Sequence, residues 1–60
     1  MTEPFDRYPR PLLTVQEVAD VFRVSDSTVR RWIDNEDLRA MKLGRVVRVP
    51  AEEVDRFRGR

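Results

Sequence analysis

Apolar positions along the chain recur first with a helical period and then with an extended one. Val15, Val18, Ala19 and Phe22 stand at i, i+3, i+4 and i+7, which puts them in one stripe and leaves Gln16, Glu17, Asp20 and Arg23 pointing outward. Thr14 and Glu17 form a capping box ahead of that stripe: the hydroxyl takes the amide three residues on, and the carboxylate takes the amide of Thr14 itself. A helix is therefore predicted from Thr14 to about Arg23. Val24 follows as an apolar turn residue. Val29, Trp32 and Ile33 then repeat the helical spacing and predict a second short helix. Ser25 is its N-cap, and Asp26 places a negative charge at the positive end of its dipole. Asn35-Glu36-Asp37 breaks it, with Asn35 suited to the left-handed conformation that closes a helix. Two short helices joined by a three- or four-residue turn make a helix-turn-helix, although the glycine often found in that turn is missing.

Beyond Asp37 the apolar residues favour strands over residues 38–43 and 46–49, joined at Gly44-Arg45. Glycine at the first central position suits a type II′ turn, which pairs Leu43 with Val46, Lys42 with Val47, Met41 with Arg48 and Ala40 with Val49. Ala40, Lys42, Val47 and Val49 then share the face toward the helices, with Lys42 reaching out to solvent. Arg39, Met41, Leu43, Val46 and Arg48 share the other face. Pro50 ends the second strand and sets the first turn of a last helix, in which Glu52 and Glu53 are well placed and Val54 and Phe57 pack inward. Three prolines in residues 1–11 exclude a regular helix and predict an extended arm. In that arm Phe5 and Tyr8 either dock on the domain, or Arg7 and Arg10 touch a partner. The expected fold is mainly α with a two-stranded β wing, a winged helix-turn-helix over residues 12–58. An arm over residues 1–11 precedes it and a basic end, residues 59–60, follows.

Composition narrows the chemistry. Sixty residues predict one small domain without an effector module. With no cysteine and no histidine, disulfides, thiolate metal sites and the commonest general base are all missing. The hydroxyls of Ser25, Ser27 and Thr28 then lack a base, and no enzyme activity, cofactor or metal is expected. Asp34, Glu36 and Asp37 read as a solvated acidic loop. No apolar run approaches the ~20 residues of a membrane span and no leader is visible, so the expected place is the cytoplasm. Net charge is only +1, but residues 23–48 hold seven basic against four acidic side chains, net +3, and the remainder is net −2. Eleven of the twelve basic residues are arginine, suited to bidentate phosphate and guanine contacts; a GC-rich coding sequence would also favour arginine.

The second helix carries the chemistry. Its seam faces inward, while Ser27, Thr28, Arg30 and Arg31 remain for a partner, with Ser25 at the cap. A short helix with a cationic outer face suits the major groove of double-stranded DNA. There one arginine forks to guanine N7 and O6 and the other pairs with phosphate. The competing reading pairs Arg30 or Arg31 with Asp34 one turn on. Trp32, at core spacing, reads as packing. Arg45, beside Gly44, is either a minor-groove probe or a solvated turn residue.

The order helix, turn, helix, wing, short helix, with the stretches LLTVQEVADVFRVSDSTVRRWI, LRAMKLGRVVRVP and EEVDRF, resembles the excisionase-type, MerR-related winged helix-turn-helix family. Typical members share a strand-leading LLT-x-x-E start, an S-x-x-T recognition helix with arginine and tryptophan, and a K/R-x-G-R-x-x-R-I/V-P wing. The resemblance covers residues 12–57. It implies that Ser27, Thr28, Arg30 and Arg31 read the major groove and grip nearby phosphates. It implies that Gly44 and Arg45 approach the minor groove at the wing tip, and that Lys42 and Arg48 contact backbone. The chain departs from the family pattern at Asp34, Glu36 and Asp37, where many members carry fewer charges. The role implied is that of a phage excisionase, which binds adjacent sites side by side, bends DNA and turns an integrase toward excision. A small transcriptional regulator using the same surface, and a protein-interaction module, are the alternatives. A single module buries roughly 600–1,000 Å² on DNA, so adjacent copies or a larger partner are expected there, and a monomer free in solution.

Overall fold

The computed structural model describes residues 10–59. Its elements run β1 (Leu12–Leu13), α1 (Val15–Phe22), α2 (Asp26–Asp34), β2 (Met41–Leu43), β3 (Val46–Pro50) and α3 (Ala51–Arg58). The capping box opens α1 as its sequence dictates: the Thr14 hydroxyl accepts from the Glu17 amide at 3.1 Å, and the Glu17 carboxylate accepts from the Thr14 amide at 2.8 Å. Val15, Val18 and Ala19 are buried and Phe22 is half-buried, so the stripe forms one wall of the core.

The turn between α1 and α2 closes without glycine because Arg23 takes the left-handed conformation, φ 58° and ψ 47°. The Val24 amide bonds the Ala19 carbonyl at 3.0 Å and the Arg23 amide bonds that of Asp20 at 3.3 Å, the two reversed bonds of a Schellman motif. Val24 then packs against the core. In α2 the Ser25 hydroxyl accepts from the Thr28 amide, Val29 and Ile33 are buried, and Trp32 lies half-buried between Phe22 and Phe57. The helix ends differently from expectation. Asn35 stays right-handed, and Glu36 takes the left-handed position at φ 63°. Closing one residue later lets both the Asp37 and Leu38 amides bond the Trp32 carbonyl, which draws Leu38 into full burial.

Leu38 therefore belongs to a buried connection, and the first strand of the hairpin is only Met41–Leu43 where residues 38–43 were expected. The hairpin register is the expected one, with Met41 opposite Arg48, Lys42 opposite Val47 and Leu43 opposite Val46. Gly44 has φ +60° while Arg45 keeps a negative φ, which fits the type II′ turn. The larger correction concerns strand number: the sheet has three antiparallel strands in the order β1-β3-β2, and the expected wing had two. Leu12 pairs with Pro50 and Leu13 with Val49, on the edge of β3 that β2 does not cover. The added strand satisfies backbone that a hairpin alone would leave bare and packs Leu13 on the core.

The Ala51 amide donates to the Pro11 carbonyl, and Arg10 pairs with Glu52, so the chain just before β1 is tied to the start of α3. Val54 is buried, and Phe57 completes a three-ring cluster with Phe22 and Trp32 at centroid distances of 4.6–5.5 Å. Arg56 pairs with Glu53 within α3. The expectations for Phe5, Arg7 and Tyr8 in the arm, and for Arg60, lie outside the described residues.

Candidate nucleic-acid interface

Helix geometry sorts the outer residues of α2. In a 3.6-residue helix two positions are about 200° apart, so a residue two steps from a buried one faces the opposite way. Ser27 precedes the buried Val29 by two, and Arg31 falls midway between Val29 and Ile33. Ser27 and Arg31 therefore form the ridge turned furthest from the core, and both are exposed. Arg30 lies on the flank, turned toward the wing.

That flank meets the sheet in a continuous seam. One shallow concavity of about 180 Å³ is lined by Val15, Arg30, Ile33, Asp34, Lys42 and Val47. Next to it, one of about 280 Å³ is lined by Thr14, Val15, Gln16, Asp26, Arg30, Arg45, Val47 and Arg48. Arg30 and Val47 belong to both. The fold thus brings Arg30, Lys42, Arg45 and Arg48, which are up to 18 positions apart in sequence, to one groove between α2 and the wing. Ser25, Ser27, Thr28, Arg31 and Gly44 lie outside it.

Local bonds set which groups remain available. The Ser25 and Thr28 hydroxyls are 3.0 Å apart and bond each other, and Thr28 is half-buried, so both serve the cap first. Among the described residues neither Arg30 nor Arg31 forms an ion pair or a side-chain hydrogen bond. The competing reading, in which one of them pairs with Asp34, does not hold: the partner of Asp34 is Lys42, at 3.8 Å across the seam. That pair is well exposed on both sides, so its contribution is small and easily exchanged. The Arg48 guanidinium donates to the Val47 carbonyl at 2.8 Å, which holds its half-buried side chain along the strand.

Two features of the seam escape a sequence reading. Gln16, placed on the outer side of α1, lines the same concavity as Arg30 and Arg45, because the N-terminus of α1 opens onto the groove. Asp26 and Asp34 stand one turn before and one turn after Arg30 and line the groove at its two ends. The i, i+4 spacing through Arg30 carried that signal, but which side of the helix meets the wing depends on tertiary packing. No group of three or more acidic or other metal-ligating side chains is positioned to hold a metal ion among the described residues. No helix among them is long and apolar enough to cross a membrane.

Residues 12–60 match the model of the helix-turn-helix domain family. Over 43 residues the chain is 51% identical to a protein named "Putative DNA-binding protein" in Mycobacterium tuberculosis strain CDC 1551 / Oshkosh. The same figures hold for its namesake in strain ATCC 25618 / H37Rv. The aligned stretch is 72% of this chain and 55% of each relative, so the chain spans about half the length of the curated relatives it matches. With two helices joined at a left-handed turn, and a family match that runs from β1 past α3, the chain belongs to the helix-turn-helix domain family.

Proposed function

We propose that the protein binds double-stranded DNA, with α2 in the major groove and the Gly44-Arg45 turn at the flanking minor groove. The observation that carries this is the state of Arg30 and Arg31. Both are exposed and neither is paired among the described residues, although Asp34 lies within one turn of each and Asp26 one turn from Arg30. Arginines with carboxylates at helical spacing would ordinarily draw them in; here they are left for an external anion. In this reading Ser27 and Arg31, on the outermost ridge, address base edges, and Arg30 turns toward phosphate along the seam. Lys42 and Arg48 add backbone contacts from the wing, and Ser25 and Thr28 hold the helix entry that aims the ridge. The relatives' DNA-binding name supports the same partner. Selection of duplexes from a random pool tests the assignment. The wild-type chain enriches a motif, Arg31→Ala keeps binding but relaxes one base position at a cost of about 1–3 kcal/mol, and Arg30→Ala weakens all sequences alike. If the two variants lose the same discrimination, the division of roles is wrong.

The biological role we infer is that of an excisionase: a DNA-bending factor that occupies adjacent sites and steers a phage integrase toward excision. Its support is the family resemblance and the small size of the folded unit, whose contact surface calls for neighbouring copies or a larger protein on the same DNA. The second reading is a small transcriptional regulator acting from the cytoplasm on a promoter through the same surface, and the relatives' DNA-binding names accord with both readings alike. An in vitro excision reaction separates the two. Stimulation of excision by the protein supports the first; promoter footprinting with no change in recombination selects the second.

A further inference from the structure

The hairpin and the connection leading into it, residues 38–49, contain Arg39, Lys42, Arg45 and Arg48 and no carboxylate. Between these cations lies an apolar face. Val47 packs on the core, so its cross-strand neighbour Lys42 shares the inner side. The alternation of the strands then puts Met41, Leu43 and Val46 on the outer side together with Arg48, which stands opposite Met41, so the apolar part of that side lies at the tip. Leu43 is 54% exposed, and Val46 is directly opposite it. The two residues immediately flank the Gly44-Arg45 turn, so the wing tip is an apolar shoulder with one guanidinium at its apex. The type II′ turn requires the glycine and does not require the leucine. Leu43 also contributes little to the core at this exposure.

A surface of this kind fits a polyanion with apolar walls. The minor groove offers that combination, with phosphates on its rims and deoxyribose along its sides. We propose that Leu43, backed by Val46, is an apolar wedge that the wing presses into the minor groove beside Arg45, widening the groove and bending the duplex toward its major groove. This rests on the DNA-binding reading given above and adds to it the residue that does the bending.

The test uses the full chain and a short duplex enriched from a random pool by the wild-type protein, labelled at both ends for energy transfer, with anisotropy read in parallel. Leu43→Ser should leave the urea midpoint nearly unchanged, because the side chain is exposed. It should raise Kd about tenfold while keeping the dependence on salt, and at saturation it should leave the duplex straight where the wild type brings its ends together. A mismatch placed at the step under the wing should restore the affinity of Leu43→Ser, since a weakened step no longer needs the wedge. Arg31→Ala should lose affinity yet bend the duplex fully once bound. If saturating Leu43→Ser bends the duplex as the wild type does, the wedge is overturned, and the apolar shoulder is then a surface for something other than DNA. If the wild-type chain enriches no duplex at all, the DNA-binding reading fails, and the wedge fails with it for a different and visible reason.

Discussion

Arg23 holds a backbone conformation that arginine disfavours. At φ 58° its Cβ crowds the following carbonyl, a cost of about 1–2 kcal/mol that glycine does not bear. The position is nevertheless forced, since the Schellman bonds at Ala19 and Asp20 turn the chain from α1 into the cap of α2 only through that left-handed residue. Arg23→Gly is therefore expected to raise stability, by up to ~1 kcal/mol once the added freedom of the unfolded glycine is subtracted, read as an upward shift of the urea midpoint at constant slope. No increase would mean that the arginine side chain contributes packing that offsets the strain. The same conformation at Glu36 shows why the closing residue of α2 was not legible in sequence. Left-handed residues announce themselves as glycine or asparagine, and Asn35 stood one position too early. What decided the closure was Leu38, whose burial needs its amide on the Trp32 carbonyl.

Each element shows which signals a short sequence can carry. The capping box of α1 is legible because its two residues are three positions apart and each side chain accepts from the other's backbone amide. Thr14→Ala should cost about 1 kcal/mol, and Glu17→Gln less, because an amide oxygen still reaches the Thr14 amide. Thermal unfolding followed by circular dichroism checks both, and an equal loss for the two would show that the carboxylate's charge at the helix start matters more than its bond. The hairpin register was legible for a similar reason, a single glycine fixing a two-residue turn. The strand Leu12–Leu13 was not, since two residues carry no period and its partner in β3 lies more than thirty positions away. The division of α2 into an outer ridge and a wing-facing flank was half legible. Periodicity separates core from surface, whereas which surface side meets the wing is set by the packing of α2 on α1 and of α1 on β3. Leu38→Ala is the sharpest test of that packing. It should cost about 2–5 kcal/mol in a domain whose whole stability, at its size, is only about 3–9 kcal/mol, so a substantial unfolded fraction is expected at room temperature in the far-ultraviolet spectrum.

Across the whole molecule, charge is separated more than it is accumulated. Residues 23–48 are net +3 and the rest net −2, so the protein as a whole is nearly neutral while the seam between α2 and the wing is cationic. Long-range attraction to DNA is then weak, and affinity has to come from contacts made at close range. Such contacts displace condensed cations one phosphate at a time, so the salt dependence counts phosphates and does not follow net charge. If Arg30, Lys42, Arg45 and Arg48 each engage a phosphate while Arg31 addresses bases, the slope of log K against log salt should be about −3 to −4. Removing a phosphate contact lowers the magnitude by about 1, whereas removing a base contact lowers affinity and leaves the slope nearly unchanged. Arg30→Ala and Arg31→Ala should therefore part in a salt titration followed by anisotropy, the first flattening the line and the second displacing it in parallel. Lys42→Ala should flatten it less than Arg30→Ala, because Lys42 already faces Asp34 at 3.8 Å and brings a partly balanced charge to the duplex. A slope near zero for the wild-type chain would mean that the cationic seam meets no phosphate, and that the exposed guanidiniums of α2 serve a partner other than DNA.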